Sequence, residues 1–425
     1  MAALTLGAQN TYAQYKQSSW NGGIGNWNVS GNWNPSDVPN SATTDVSITG
    51  TLSNPSSVTL DTTFDILSPT IHNLSLDPFS TLTMVGVNLN VAGSTISNNG
   101  AVLIGGSSGN ADLYVDASTV TLSGAGTVSL NNADSYLEGS SSSNTLVNTS
   151  TIQGQGYIYG MNLNNQGTVN ANVSGGTLSI SSAQTKNSGT FQVNEGSTLQ
   201  VSDSFTTTGT VNIGAVSDRS GSLFQVLGSN DYVQTSGTTS LWSAHSTLAV
   251  AAGQSVNIEG GLLQGFGTVQ GNLINSGTVH PGDGPGILTV TGNYTQNASG
   301  ILDIAIGGRT PGSGYSVLSV TGSALLLSGM LDVSLVNGFS PTTDDIFVIL
   351  TSGGLSGTFT DNTILVGGVT FDVEYSPPGY NNDVVLEVAQ VSAVPEPASW
   401  LMLGLGLTAV GTCVVRKSKS QVRGK

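Results

Sequence analysis

A seven-residue pattern, aliphatic-x-Gly-x-Gly-x-aliphatic, returns at Leu122–Val128, Ile152–Ile158 and Leu263–Val269. A related pattern comes soon after the last two, at Leu163–Val169 and Leu273–Val279. A Gly-Thr-apolar triplet recurs at Gly126, Gly167, Gly189, Gly209, Gly267 and Gly277, with successive gaps of 41, 22, 20, 58 and 10 residues. Most of these gaps lie near multiples of about twenty, the length of three short strands and their turns, or one coil of a parallel β-helix. A chain written this way buries its apolar side chains by stacking each coil on its neighbours.

The rest of the chain agrees with that period. Apolar residues alternate with Ser, Thr, Asn and Gln, which points Val, Leu, Ile and Phe inward and covers the outside with neutral polar groups. Charged residues are only 8% of the chain, too few for the exposed faces of long helices, while β-branched residues are plentiful. The expected fold class is all-β, a right-handed parallel β-helix (solenoid) followed by a C-terminal single transmembrane helix. Glycine, with 57 positions, is expected to supply left-handed corners. Stacked Asn side chains are expected to bond to one another along the axis. About fourteen coils at roughly 4.8 Å each give a rod on the order of 65–70 Å long.

A solenoid needs covered ends, because an open coil is an unpaired edge. Residues 20–48 suit an N-terminal cap, since Trp20, Trp27 and Trp33 fall within fourteen residues there. Two readings stand side by side: an aromatic lid over the first rung, or an exposed platform whose indoles stack on sugar rings. The expected division is 1–19 residual signal peptide and disordered N-terminus, 20–48 cap, 49–290 repeats, 291–375 terminal β-rich region, 376–393 polar linker, and 394–425 sorting segment. Ala8–Gln14 looks like the tail of a signal peptide with a cut after Ala13 or Gln14. The apolar run before it is short for a full signal, so the true start is expected upstream.

Gly277-Thr-Val-His-Pro-Gly-Asp-Gly-Pro-Gly-Ile-Leu-Thr-Val290 leads into Gly292-Asn-Tyr-Thr-Gln296 and then strands such as Leu302–Ile304 and Ile346–Ile349. This stretch resembles the terminal passenger region of autotransporter-type β-helix proteins. No membrane barrel succeeds it, so self-export does not carry over.

Residues 394–425 read as an address. Val394-Pro395-Glu396-Pro397 precedes the uncharged stretch from Ala398 to Val415, and then come Arg416, Lys417, Lys419, Arg423 and Lys425. Eighteen helical residues rise roughly 27 Å, just enough to span a bilayer core. Trp400 sits at one interface, and the basic cluster stays on the cytoplasmic side. The arrangement closely resembles the PEP-CTERM sorting signal of Gram-negative bacteria, through Pro395-Glu396-Pro397, the Trp400–Leu407 run and the Arg416-Lys417 stop. The resemblance implies secretion, transient inner-membrane anchoring through residues 398–415, processing by an exosortase-type enzyme, and a host that makes exopolysaccharide.

Catalytic chemistry is thinly written. His72, His245 and His280 are far apart and outside any motif, and the single cysteine, Cys413, lies inside the apolar tail. No Walker loop, nucleophile elbow or zinc pattern is present. The acids Asp112, Asp116, Asp134, Glu138, Asp203, Asp218, Asp231 and Glu259 are scattered. Asp344-Asp345 are adjacent, which on a strand points them apart. Residues 1–415 carry four basic side chains against 25 acidic ones, net −21, a surface that repels nucleic acid. The expected protein is therefore a structural or adhesin-like rod of the cell surface or extracellular matrix. It has no catalytic residues, cofactor or metal, and contacts exopolysaccharide through many weak bonds and through Trp20, Trp27 and Trp33. The competing class is a polysaccharide-active lyase or hydrolase built on the same fold.

Overall fold

The computed structural model of the chain describes residues 14–63, 68–106, 109–194 and 196–391. One coil shows the principle. Thr145–Asn148, Thr151–Gly154 and Gly156–Tyr159 are three short strands on three successive faces. Asn162–Asn165, Thr168–Ala171 and Thr177–Ser181 repeat them one level up, each parallel to and in register with the strand below. Stacking of such coils produces three sheets of 16, 14 and 16 strands among the described residues. The body is an all-β parallel solenoid.

Alternation decides what is inside. Leu146, Ile152 and Ile158 of one coil sit over Leu163, Val169 and Ile180 of the next, all essentially without solvent exposure. Each such burial contributes about 1.5–3 kcal/mol before entropy is counted. Mid-rod, the interior turns aromatic: Phe191, Phe205, Phe224 and Tyr232 pack with ring centroids 5.0 to 6.1 Å apart.

The corner between the first and second faces explains the Gly-Thr triplets. A Cβ on Gly189 would lie 2.2 Å from the Gly167 carbonyl oxygen, and one on Gly209 would lie 2.2 Å from that of Gly189. Glycine is required here because neighbouring coils approach backbone to backbone. Left-handed glycines stand at this corner too, at Gly124 (φ 104°), Gly237 (φ 76°) and Gly261 (φ 74°), as well as at the next, at Gly154 (φ 115°) and Gly156 (φ 118°). Gly267 opens a third-face strand, Thr268–Gln270, whereas the other triplets open second-face strands. That difference is why the spacing breaks into 58 and 10.

A buried amide ladder fills the same corner. Asn148 Nδ2 donates to Asn165 Oδ1 at 2.7 Å, Asn165 Nδ2 to Asn187 Oδ1 at 2.8 Å, and Asn187 Nδ2 to Thr207 Oγ1 at 3.1 Å. Each amide also reaches the first carbonyl of the second-face strand one coil on: Asn148 to Thr168, Asn165 to Thr190, Asn187 to Thr210. Asn98, Gln234, Asn275 and Gln296 repeat that reach toward Thr127, Leu262, Ile301 and Met330. The bonded asparagines therefore run inside the rod, where the backbone at the corner lacks other partners.

The ends depart from the expected division. Lys16–Trp20 is a strand parallel to Thr44–Ile48, so residues 16–19 belong to the first coil and not to a disordered terminus. Trp33–Asn34 covers that edge in antiparallel pairing. At the other end coils continue without a break past residue 290, through Ile346–Thr351 and Gly354–Thr358. Val369–Tyr375 and Val384–Val391 then form an antiparallel hairpin, and Val384–Val391 pairs with Ile346–Thr351. The linker expected over 376–393 is thus a turn and then a strand. Pro377-Pro378-Gly379 breaks the first strand, and the run from Val384 buries Val384, Val385 and Leu386. Among the described residues no helix is long and apolar enough to cross a membrane. The expected span at 398–415 lies outside them, as do residues 1–13 of the N-terminal segment.

Candidate functional site

The tryptophan cluster is interior. Trp20, Trp27 and Trp33 are 4%, 0% and 0% exposed. Trp33 meets the other two edge to face, with centroids 5.0 and 4.8 Å apart. Their N–H groups are spent on Gly23, Pro39 and Trp27 carbonyls. Stacking on a sugar needs an open ring face, and none of the three has one. The glycan-contact reading of these residues is corrected on that ground.

Two of the histidines and a few of the acids tie coils together. His72 Nδ1 lies 2.7 Å from Asp45 Oδ1 and its ring stacks on Tyr15. Partial burial pushes the Asp45 pKa up, but hydrogen bonds from His72, Gln17 and Asn73 outweigh it and hold it below the usual value. His280 bonds Asp303 at 2.9 Å, which raises the histidine's pKa against the effect of burial. Asp231 accepts from Ser255 N and Asn257 Nδ2, one coil on. Asp344 is exposed and Asp345 buried, in the turn before Ile346–Thr351 and not on a strand. Among the described residues no three His, Cys, Asp or Glu side chains gather as a metal site.

Four of the scattered acids are brought together on the third face. Asp112, Tyr136 and Tyr157 form one outward column across three coils, and Tyr114, Glu138 and Tyr159 form the column beside it. The Tyr136 and Tyr157 rings stack with centroids 4.8 Å apart and planes 10° from parallel. Tyr159 is 46% exposed, and the other side chains of the group are partly exposed. Tyr114 and Glu138 stand opposite each other on neighbouring rungs. Partial burial and then the Glu138 charge raise the Asp112 pKa, and the same two causes raise that of Tyr114. Asp116 and Asp134 add negative charge at the margins, where they act on Tyr114 and Tyr136. With rungs about 4.8 Å apart and alternate residues about 6.6 Å apart, the group covers on the order of 10 by 7 Å, close to the footprint of a sugar ring or two.

Such a surface has a definite chemistry. Neutral tyrosine rings offer apolar faces with polar tips, and the carboxylates accept strong hydrogen bonds from hydroxyl groups. Sequence reading missed this group because it treated the acids singly. The available signal was register: Asp112-Leu-Tyr114, Tyr136-Leu-Glu138 and Tyr157-Ile-Tyr159 share one outward-inward-outward pattern and superpose when coils are aligned.

Comparison with known families matches the PEP-CTERM protein-sorting motif to residues 393–417. No curated protein matches the chain. The match contains Pro395, Glu396, Pro397, Arg416 and Lys417, all outside the described residues. It marks the chain for export, for processing by an exosortase, and for a surface or extracellular destination, with a β-solenoid as the cargo.

Proposed function

We propose that this sorted solenoid is a non-catalytic binder of extracellular matrix polysaccharide. The observation that carries the reading is the tyrosine and carboxylate group on a rigid, outward-facing flank of an exported rod. The flank is acidic, which favours uncharged or amino-bearing sugars over polyanions. After transient anchoring through residues 398–415, the rod joins the matrix at the cell surface. The test is retention of the full-length chain on uncharged matrix glucans, with Tyr136→Ala/Tyr157→Ala as the partner variant. Truncating two central aromatic contacts is expected to weaken retention at least about tenfold. Failure of the unaltered chain to bind any uncharged or amino-sugar polymer would sink the reading.

One observation favours the hydrolase alternative. Asp112 and Glu138 sit on neighbouring rungs, two residues out of step, about 8 Å apart by strand geometry. Inverting glycosidases separate their acid and base by about 6.5–9.5 Å, and the raised pKa of Asp112 fits the acid. In the same incubations this reading requires new reducing ends that vanish with Asp112→Asn.

A further inference from the structure

The second face of the rod carries a uniform, uncharged lane. Six successive strands, Thr127–Leu130, Thr151–Gly154, Thr168–Ala171, Thr190–Val193, Thr210–Ile213 and Thr238–Leu241, are four residues long, and each begins with threonine. The register stacks these six threonines in one outward column, level on level. All six are partly exposed. Two residues on, Ser129, Gln153, Asn170, Gln192, Asn212 and Ser240 form a second column beside them. No Asp, Glu, Lys, Arg or His occurs in these strands, nor in Ser80–Val85, Ala101–Ile104 and Leu262–Gly265, which extend the face to nine levels.

The two columns differ in how their polar groups are used. The second is held down within the rod. Gln153 Nε2 donates to Ser129 Oγ and Gln264 Nε2 to Ser240 Oγ, each at 3.1 Å, and Asn212 Oδ1 accepts from Trp242 Nε1 at 3.3 Å. Among the described residues none of the six threonine hydroxyls has a hydrogen-bond partner. Each therefore offers a donor, an acceptor and a methyl group, repeated at every rung, about 4.8 Å apart. Such a row is matched along its whole length by a surface with the same repeat.

We infer that a second copy of this chain covers the lane, the two rods lying side by side with their second faces in contact. The repeat is the first reason. Another copy has the same rise per level by construction, so side chains that meet at one level meet at all of them. Stacked identical rows that interdigitate between paired sheets make a close, dry contact. Charge is the second reason. Residues 1–415 carry four basic side chains against 25 acidic ones, so two bodies repel unless they meet where the strands are uncharged. Size is the third. Nine levels of four residues cover about 40 by 13 Å, on the order of 500 Å² on each copy. Together the copies bury on the order of 1,000 Å², which reaches the size of a specific interface. The same patch serves both partners, so the contact closes at two copies. The tyrosine flanks, on the third faces, stay open, and the pairing does not depend on what they bind.

The test is sedimentation equilibrium of the full-length chain in a detergent that shields its apolar tail. The mass is expected to rise with concentration from one copy to two and to stop there. Thr168→Glu/Thr190→Glu sets like charges against each other at the centre of the lane and should weaken pairing at least about a hundredfold. Thr177→Glu/Thr198→Glu puts the same charge on neighbouring rungs of the third face and should pair as the unaltered chain does. Thr168→Lys/Thr190→Lys should fail to pair alone and should pair with the lane Glu variant on mixing, which guards against misfolding in either. One copy at every concentration, pairing unchanged by Thr168→Glu/Thr190→Glu, equal loss in the third-face variant, or no pairing in the mixture overturns the inference. A single-copy chain whose retention on a neutral glucan falls with Thr168→Glu/Thr190→Glu would give the lane to a polysaccharide and overturn it equally.

Discussion

Asn165 shows how much one side chain can carry in a stacked fold. It accepts from Asn148 and donates to Asn187, to the Thr190 carbonyl and to the Gly167 carbonyl, and its own side chain is fully buried. Removal takes one bond each from Asn148 Nδ2 and Asn187 Oδ1 on the neighbouring coils, and a buried polar group left unsatisfied costs about 1–3 kcal/mol. Asn165→Ala is therefore expected to destabilise the rod by about 2 kcal/mol or more. Native-state hydrogen exchange is the right measurement, because a solenoid can open locally. The loss should concentrate in residues 145–193, and an even loss along the rod would contradict the ladder's local role. That Asn residues would stack was legible in their recurrence. That they would stack inside was not, because the same residue type also covers the outside. What separates the two is position at a corner where backbone carbonyls need a donor.

At the scale of elements, strands were easy to read and ends were hard. Period-two alternation located the coils, since inward and outward positions have opposite polarity throughout. Corners and caps obey other rules. Gly267 and Gly277 look alike in sequence yet serve different corners, and Val384–Val391 reads as the far side of a linker until it finds Ile346–Thr351 to pair with. One ion pair ties the loop after Ile301–Ile306 to the turn before Ile346–Thr351, the strand on which the C-terminal hairpin pairs. Arg309 grips Asp345 through Nε and Nη2 at 2.5 and 2.7 Å and lies over the Phe339 ring. Asp345 also accepts from Thr342 N, and the Arg309 guanidinium holds its carboxyl below the usual carboxylate range. A depressed folded pKa stabilises the protein above the unfolded value, about 3.9, and that stabilisation disappears as pH falls through the folded one. Thermal melting from pH 7 to pH 2 should show this acid limb in the unaltered chain. Asp345→Asn should melt lower at pH 7 and lose part of the limb. An unchanged slope would show that the pair does not fasten the end.

The whole molecule joins two messages written in different alphabets. The body is repetitive, acidic and β-rich; the last residues are apolar and basic. The tail was legible at once because its chemistry is local in sequence, whereas the tyrosine flank and the threonine lane exist only after coils are superposed. Replacing Pro395-Glu396-Pro397 with alanines should leave the chain unprocessed in a host with an exosortase, with an unshortened band on immunoblot. Normal maturation of that variant would remove the motif from the sorting step. The stacked coils also have a consequence for inheritance. Since Asn165 and Asn187 occupy equivalent places on adjacent levels, cutting out residues 166–187 would rejoin the thread one storey lower with every later contact intact. Reach beyond the cell can thus be lengthened or shortened by copying or dropping a single short piece of gene, a revision that a globular domain with one shared core would not survive.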